Sequence, residues 1–418
     1  LVASALVLIS GNVSLAGETR LTPSLTLKGT YDDNLFFEDV SDFEVVAAPE
    51  FEYRYQTETS RFSIFGGTDI YRYWEFDEYD RVNQSYSFSS TFGLGDRLSF
   101  SLNGDVNIDH TFEKILQEVG EITGKSKRYR YKINPGLEYQ ISPRNFVRLN
   151  LRGNWVDYQK MVQDNNRDYE TYGAKLLLGH DWSRKTTLYM LADYSQTHME
   201  DLSLTVPKFP SGKVEYGQFD QEQELYQLMG GGDYSYSPNL SFSLRVGGSL
   251  ARTEYTSVQP MPHRLYPIVP SYVGTKSRDV QEDSLGLVLE CGTEYEMQLM
   301  SLGLDASRSI TQSADGENIA RNRAQFSLTR HFSARFRGGF RASYTRSKTV
   351  ESGNREFGEE VDSSTYVINP GLRYVVDRSS VLQIRYNYRR VDEQADGDLD
   401  TRNRIYIQYT YNFPYVWD

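Results

Sequence analysis

The sequence predicts an all-β fold, one transmembrane antiparallel up-and-down β-barrel of about 18 strands. Three observations predict it. Side chains alternate apolar and polar over long stretches, these stretches come in hairpin pairs, and the links between them alternate short and long.

Composition narrows the field first. The chain has 418 residues with 45 basic and 57 acidic side chains, a net charge of −12, which argues against a nucleic-acid surface and against nucleic acid as a partner. A single cysteine, Cys291, excludes a disulfide scaffold. Only 39% of residues are hydrophobic, and beyond the first nine no run approaches the roughly 18 apolar positions of a membrane helix. The 32 Tyr, 21 Phe and 4 Trp are too many for a disordered chain.

Leu1 to Ile9 is apolar, and Ser14-Leu15-Ala16 supplies small residues at −3 and −1 before Gly17. This reads as the end of an export signal, truncated at its start, over residues 1–16, with the barrel over residues 17–418. No Cys follows Ala16, so a lipid anchor there is excluded.

The strand signal is clearest at Arg128 to Ile141. Tyr129, Tyr131, Ile133, Leu137, Tyr139 and Ile141 fall on one parity; Arg128, Arg130, Lys132, Asn134, Glu138 and Gln140 fall on the other. A period of two means a strand with one greasy and one polar face. Ser142 to Asn145 makes a turn, and Val147, Leu149, Leu151 and Trp155 alternate with Arg148, Asn150, Arg152 and Asn154 on the way back. The template predicts strands over 22–36, 43–56, 61–75, 83–94, 97–111, 128–141, 145–158, 169–182 and 186–198. It continues over 222–236, 239–255, 283–296, 298–310, 320–331, 334–347, 363–376, 380–391 and 401–413. Short links fall near 57–60, 95–96, 142–144, 183–185, 238, 331–333 and 377–379. Long polar ones fall at 112–127, 199–221, 256–282 and 350–362. Short turns on one rim and long loops on the other are the layout of a bacterial outer-membrane barrel, with turns in the periplasm and loops outside. Closure follows because lipid offers no hydrogen-bond partner to an open sheet edge. A soluble sandwich is the rival, but strands this long exceed the roughly 5–6 residues usual in soluble sheets.

The last strand places Ile405, Ile407, Tyr409, Tyr411 and Phe413 on one face. It is similar to the terminal signal that the barrel assembly machinery reads, which makes that machinery an expected partner beside outer-membrane lipid and lipopolysaccharide. The tail Pro414-Tyr415-Val416-Trp417-Asp418 departs from that pattern.

Tyr366 to Tyr374, YVINPGLRY, repeats Tyr131 to Tyr139, YKINPGLEY, and the first strand carries Thr30-Tyr31-Asp32-Asp33-Asn34-Leu35-Phe36. With these motifs the chain resembles the bacterial β-barrel porin 2 family. The resemblance implies an outer-membrane pore of an exopolysaccharide or capsule system, with a periplasmic polysaccharide export protein as partner. Asp32-Asp33-Asn34 offers three small polar acceptors that either bond the turn or hold a divalent cation.

If the apolar parity faces lipid, the other lines the lumen. It carries Arg321, Arg323, Arg335, Arg337, Arg341, Arg373, Arg385, Arg389, Arg402 and Arg404, with Glu44, Glu50, Glu52, Asp69, Asp105, Asp109, Glu138, Glu290, Glu294 and Glu296 elsewhere on the wall. Such an arc either attracts anionic groups in transit or pairs with acids to hold the wall. No cofactor is expected, and no enzyme. His110, His180, His198, His263 and His331 lack ligand spacing, although Asp109-His110 and His198 leave open the acid and imidazole pair of a barrel hydrolase. Gly230-Gly231-Gly232 has no Lys-Ser/Thr after it, so it reads as a bend or close approach and not a phosphate loop. Three functions remain: an exopolysaccharide export pore, a general or anion-preferring diffusion porin, and a structural or docking barrel. A porin would fold 199–221 or 256–282 inward as a constriction.

Overall fold

A strand with apolar side chains on one parity only can meet lipid on one face and water on the other, and almost all of this chain is such strand. The computed structural model describes residues 17–110, 126–159, 167–200, 202–207, 213–262, 273–312, 318–350, 362–393, 398–413 and 415–417. The signal expected over residues 1–16 and His263 lie outside them.

The first nine strands are β1 (Glu18–Asp32), β2 (Asp42–Gln56), β3 (Ser60–Tyr73), β4 (Arg81–Leu94), β5 (Leu98–His110), β6 (Lys127–Ser142), β7 (Asn145–Gln159), β8 (Tyr169–Ser183) and β9 (Thr186–Met199). A short β10 (Leu202–Pro207) precedes three long strands, β11 (Lys213–Ser237), β12 (Leu240–Pro262) and β13 (Val273–Glu296). Then follow β14 (Met300–Gln312), β15 (Asn318–His331), β16 (Phe336–Thr349), β17 (Asp362–Val375), β18 (Ser380–Glu393), β19 (Asp398–Asn412) and a three-residue β20 (Tyr415–Trp417). All neighbours pair antiparallel.

Eighteen of these strands form one closed barrel, β10 and β20 being short additions to its rims. Closure is made by β1, which pairs β2 along one edge and β19 along the other, Ser24 to Asp32 lying against Asn412 to Arg404. A strand of 15 residues such as β1 is about 50 Å long, and a tilt near 45° brings its rise along the barrel axis to about 35 Å, enough for a bilayer core.

The outer surface is graded as a membrane barrel requires. Its middle is aliphatic and exposed, with Leu27, Ile133, Leu149, Leu176, Leu228, Leu244, Leu372 and Ile407 all pointing out. Near the long-link rim sit outward ring pairs Trp155 and Tyr172 at 5.7 Å, Tyr194 and Tyr226 at 5.0 Å, and Tyr344 and Tyr366 at 4.8 Å between centroids. Tyr53 with Phe62, Tyr234 with Tyr236, and Tyr411 with Phe413 make the second girdle near the short turns. The chain is thus an outer-membrane β-barrel, as its pattern predicts.

Three elements differ from the sequence reading. β1 stops at Asp32 instead of residue 36, because Leu35–Phe37 form a 3-10 turn in which Phe36 and Phe37 have φ of 53° and 65°. Within 199–221 and 256–282 the described residues are largely strand, not open loop. β10 pairs the start of β11, and the β12–β13 ladder runs on to Pro262 opposite Val273. Gly231 is a close approach, since a Cβ there would lie 2.0 Å from the Leu244 carbonyl oxygen.

Candidate functional site: the lumen and its two walls

Residues directly opposite in an antiparallel ladder share a face, so register carries the lumen side from strand to strand. Arg337 lies opposite Arg373, Arg373 opposite Gln383, and Arg385 opposite both Gly371 and Tyr406. Arg389 lies opposite Arg402, Arg341 opposite Ser327, and Arg321 and Arg323 opposite Ser347 and Thr345. Nine of the ten expected arginines therefore share the parity opposite the exposed apolar residues. Arg335 does not sit on a strand: it precedes β16 in the turn after His331.

Seven of the nine divide by partner. Arg402 and Arg404 both reach the Asp32 carboxylate, Arg402 Nε at 2.9 and 3.0 Å from its two oxygens and Arg404 Nε at 3.3 Å from Oδ2. Arg402 and Asp32 are only 3% and 2% exposed. This pair joins the last strand to the first. Arg337, Arg341 and Arg373 make no ion pair among the described residues; Arg323 and Arg385 bond only neutral groups, Gln325 for the former and Gln383 and Tyr406 for the latter. Below the rim, the lumen parity of β15 to β18 holds no acid.

The opposite wall is mixed and paired. Arg128 bonds Asp109 at 3.0 Å, Arg148 lies 2.5 Å from Glu138, Arg152 binds Asp193 at 2.8 Å, Arg54 reaches Glu52 at 2.7 Å, and Arg245 reaches Glu290 at 3.0 Å. Asp109 thus spends its carboxylate on Arg128, while His110 points from the other parity to Asn83 at 3.0 Å. His198 lies 3.9 Å from Glu222 on the outward face. Asp109 and His110 thus take different partners, and the candidate Asp109-His110 pair does not form.

Two elements narrow the long-link end. Residues 33–40 fold over the lumen, with Leu35 and Phe36 each 1% exposed against Tyr73 and Tyr79. The Arg81 and Arg402 guanidinium groups lie 5.5 and 5.3 Å from the Phe36 ring centroid, and cations over a ring face are attracted to it. Phe36, Phe37 and Asp39 all have positive φ, costly for residues with a Cβ, so the surroundings must hold the loop. The Asp32-Asp33-Asn34 acceptors do so: Asp32 takes Arg402, Asp33 accepts from the Asn403 backbone N–H and side-chain amide at 2.6 Å each, and Asn34 donates to the Thr401 carbonyl at 2.8 Å and accepts from Asp39 N–H. Their bonds are those of a turn. Burial, then the hydrogen bond to Glu38 and its charge, hold the Tyr79 hydroxyl above the usual phenol range, so it donates as a neutral group.

The second element was not foreseen. Pairing of β13 with β14 stops at Leu289 and Arg308, while each strand continues with its other neighbour. Beyond that point the β14–β15 tip leaves the wall and enters the lumen. Ile310, 3% exposed, puts its Cδ1 only 2.1 Å from where a Cβ on Gly286 would stand, so only glycine admits it there. Asn318 accepts from the Gln223 amide of β11 and donates to Thr253 of β12 at 3.2 Å. Ile319 packs on Val156 and Tyr158 of β7. Six barrel strands separate β7 from β15, which at ~4.8 Å per step is about 34 Å along the wall, so the contact crosses the lumen. The available signal was apolar residues on the polar parity, Val156 after Trp155 and Ile319 two before Arg321.

No family model and no curated protein matches this sequence. Among solved structures, the ferric-catecholate import receptor Fiu of E. coli K12 in its open form superposes with a TM-score of 0.52 at 9% identity, over 93% of this chain and 81% of that one. Pseudomonas aeruginosa OpdK with vanillate gives 0.44 at 11% identity over 94% and 99%, and the P. aeruginosa siderophore receptor PirA gives 0.45 at 13% over 94% and 80%. The likeness to Fiu shows a shared barrel fold.

Proposed function

We propose that this outer-membrane barrel is a pore for anionic solutes, with acidic exopolysaccharide leaving the cell as its cargo. The observation that carries the reading is the set Arg337, Arg341 and Arg373, which faces the lumen on adjacent strands without an acidic partner among the described residues. Adjacent strands are about 4.8 Å apart and the Debye length at physiological salt is about 8 Å, so these charges act on a passing anion together. The cargo class is supported by the resemblance to the β-barrel porin 2 family carried by the two Asn-Pro-Gly-Leu units. The long-link rim faces outside the cell in this reading, and tags in residues 208–212 should be reached by antibody on intact cells. Labelling only after membrane rupture would reverse the orientation.

A second reading, an anion-preferring diffusion porin, is favoured by the β14–β15 tip, because an inward element that narrows the lumen is what a diffusion porin uses to select solutes. One variant addresses both. Arg337→Gln, Arg341→Gln and Arg373→Gln together should move the reversal potential in a planar bilayer under a salt gradient toward cations. Surface polysaccharide falls with it under the export reading and is unchanged under the porin reading. An unaltered reversal potential would remove the anionic solute from both.

A further inference from the structure

The lipid-facing surface carries its own charge asymmetry, which transport through the lumen does not use. One step outward from the long-link girdle, the position after Tyr344 on its face is Arg346, followed by Lys348; Arg346 lies opposite Asn322, and Asn322 opposite Arg308. On β18, Arg390 lies opposite Tyr366 and so stands on the same face. Arg308 bonds only the Asn322 amide oxygen, at 3.3 Å, and Lys348 makes no hydrogen bond or ion pair among the described residues. Arg346 and Arg390 are 41% and 43% exposed and are partly balanced by Asp362 at 3.3 Å and Asp392 at 3.7 Å. Among the described residues on this face, Asp362 and Asp392 are the acids that reach the four cations. At the same height on β7 to β13 the outward residues are Asp157, Glu170, Glu222, Glu224, Glu254 and Asp283, against Arg252 and His198.

We propose that Arg308, Arg346, Lys348 and Arg390 bind the phosphate groups of a phosphorylated glycolipid of the outer leaflet, of the lipid A type. The surface is ordered in the same sequence as such a lipid. Charges lie outermost, the Tyr344–Tyr366 ring pair lies beneath them at the interface, and Ile368, Leu372 and Ile384 lie exposed below that for acyl chains. Phosphate brings charge and several acceptor oxygens, and guanidinium groups two strands apart, about 10 Å, bracket it better than a single site could. The acidic face of β7 to β13 repels the same headgroup, so the lipid is held on one side of the barrel. The inference rests on the long-link rim facing outward.

The test uses the purified barrel in detergent, with bound lipid read by native mass spectrometry and added diphosphoryl lipid A as the probe. The combined variant Arg308→Gln, Arg346→Gln, Lys348→Gln, Arg390→Gln should lose affinity by roughly tenfold or more, since basic residues near a charged surface each add attraction and Asp362 and Asp392 already offset part of it. Arg252→Gln on the opposite face should bind as the unaltered protein does. Lipid A stripped of phosphate should bind as weakly to the unaltered protein as diphosphoryl lipid A binds to the combined variant. Arg308→Gln alone, which breaks no ion pair, gives the same direction if the combined variant fails to show heat-modifiable migration. Retention of dephosphorylated lipid A, equal retention of phosphatidylglycerol, or unchanged binding in the variants would each overturn the proposal. Binding in detergent does not depend on orientation, whereas the antibody experiment on intact cells reads orientation alone.

Discussion

The two walls of the lumen carry the same kind of charge to different ends. On β1 to β7 and at the β19 seam, nearly every lumen cation named above ends on a carboxylate, and the Asp32 and Glu44 cluster gathers Arg402, Arg404, Arg81 and Lys28 around two buried acids. On β15 to β18 Arg337, Arg341 and Arg373 have no acidic partner among the described residues, and Arg323 and Arg385 bond only amide and hydroxyl groups. Paired charge fixes a wall; unpaired charge acts on what passes. Sequence parity alone cannot separate the two, because both kinds alternate with lipid-facing residues in the same way.

The sharpest break of this comparison is by stability. Asp32→Ala removes the buried carboxylate that Arg402 and Arg404 share across the β1–β19 seam, and breaking a buried pair costs about 3–5 kcal/mol. The heat-modifiable band of Asp32→Ala should therefore convert to the unfolded form at a clearly lower temperature. Arg373→Gln should change stability by no more than about 0.5 kcal/mol, as expected for a polar residue outside any such network. Equal losses in the two variants would mean that the basic wall is structural as well.

A smaller effect is expected at the element that bridges the walls. Ile319→Ala removes most of the side chain that packs on Val156 and Tyr158, at a cost of about 2–4 kcal/mol to the docking of the β14–β15 tip. Barrel pairing of β15 with β16 does not depend on that contact, so the protein should still fold. Single-channel conductance should rise, and cells should admit larger solutes. A conductance equal to that of the unaltered barrel would show that the tip does not set the narrowest point of the path.

Much of the barrel was legible because its physics is periodic. Most predicted strand ends fall within two residues of the observed ones, since lipid on one side and water on the other impose a period of two wherever the chain crosses. What escaped is where a side chain obeys the period yet meets a different neighbour. Leu35 and Phe36 extend the apolar run of β1 but turn in under Arg402, so the strand expected to reach residue 36 ends at Asp32. The extra length of β11 to β13 escaped because those segments run past the girdle, where lipid no longer imposes a period of two on the sequence. Arg335 fitted the parity count yet sits in a turn, because the chain breaks register after His331.

That turn gives the smallest effect and a clean sign. Asp377 Oδ1 accepts from the backbone N–H groups of Ser379 at 2.7 Å and Ser380 at 2.8 Å. Chiefly the Ser379 bond, then those from Ser380, with the Arg335 charge of the neighbouring turn adding to them, hold this carboxyl below the usual carboxylate range. A depressed folded value means that the ionised form is favoured by folding, so the contribution is present above the unfolded value of about 3.9 and is lost as pH falls through the lower folded value. Asp377→Asn keeps an oxygen acceptor for both N–H groups but cannot ionise. The difference in unfolding temperature between the unaltered protein and Asp377→Asn should be small and constant at and above neutral pH, and should shrink below about pH 4. The basic and mixed walls play no part in that difference, so Arg337→Gln or Arg341→Gln in the background should leave it alone, whereas Arg335→Gln should reduce it. A difference that Arg337→Gln abolishes and Arg335→Gln does not would place Asp377 in the field of the lumen and would return Arg335 to no role at this turn.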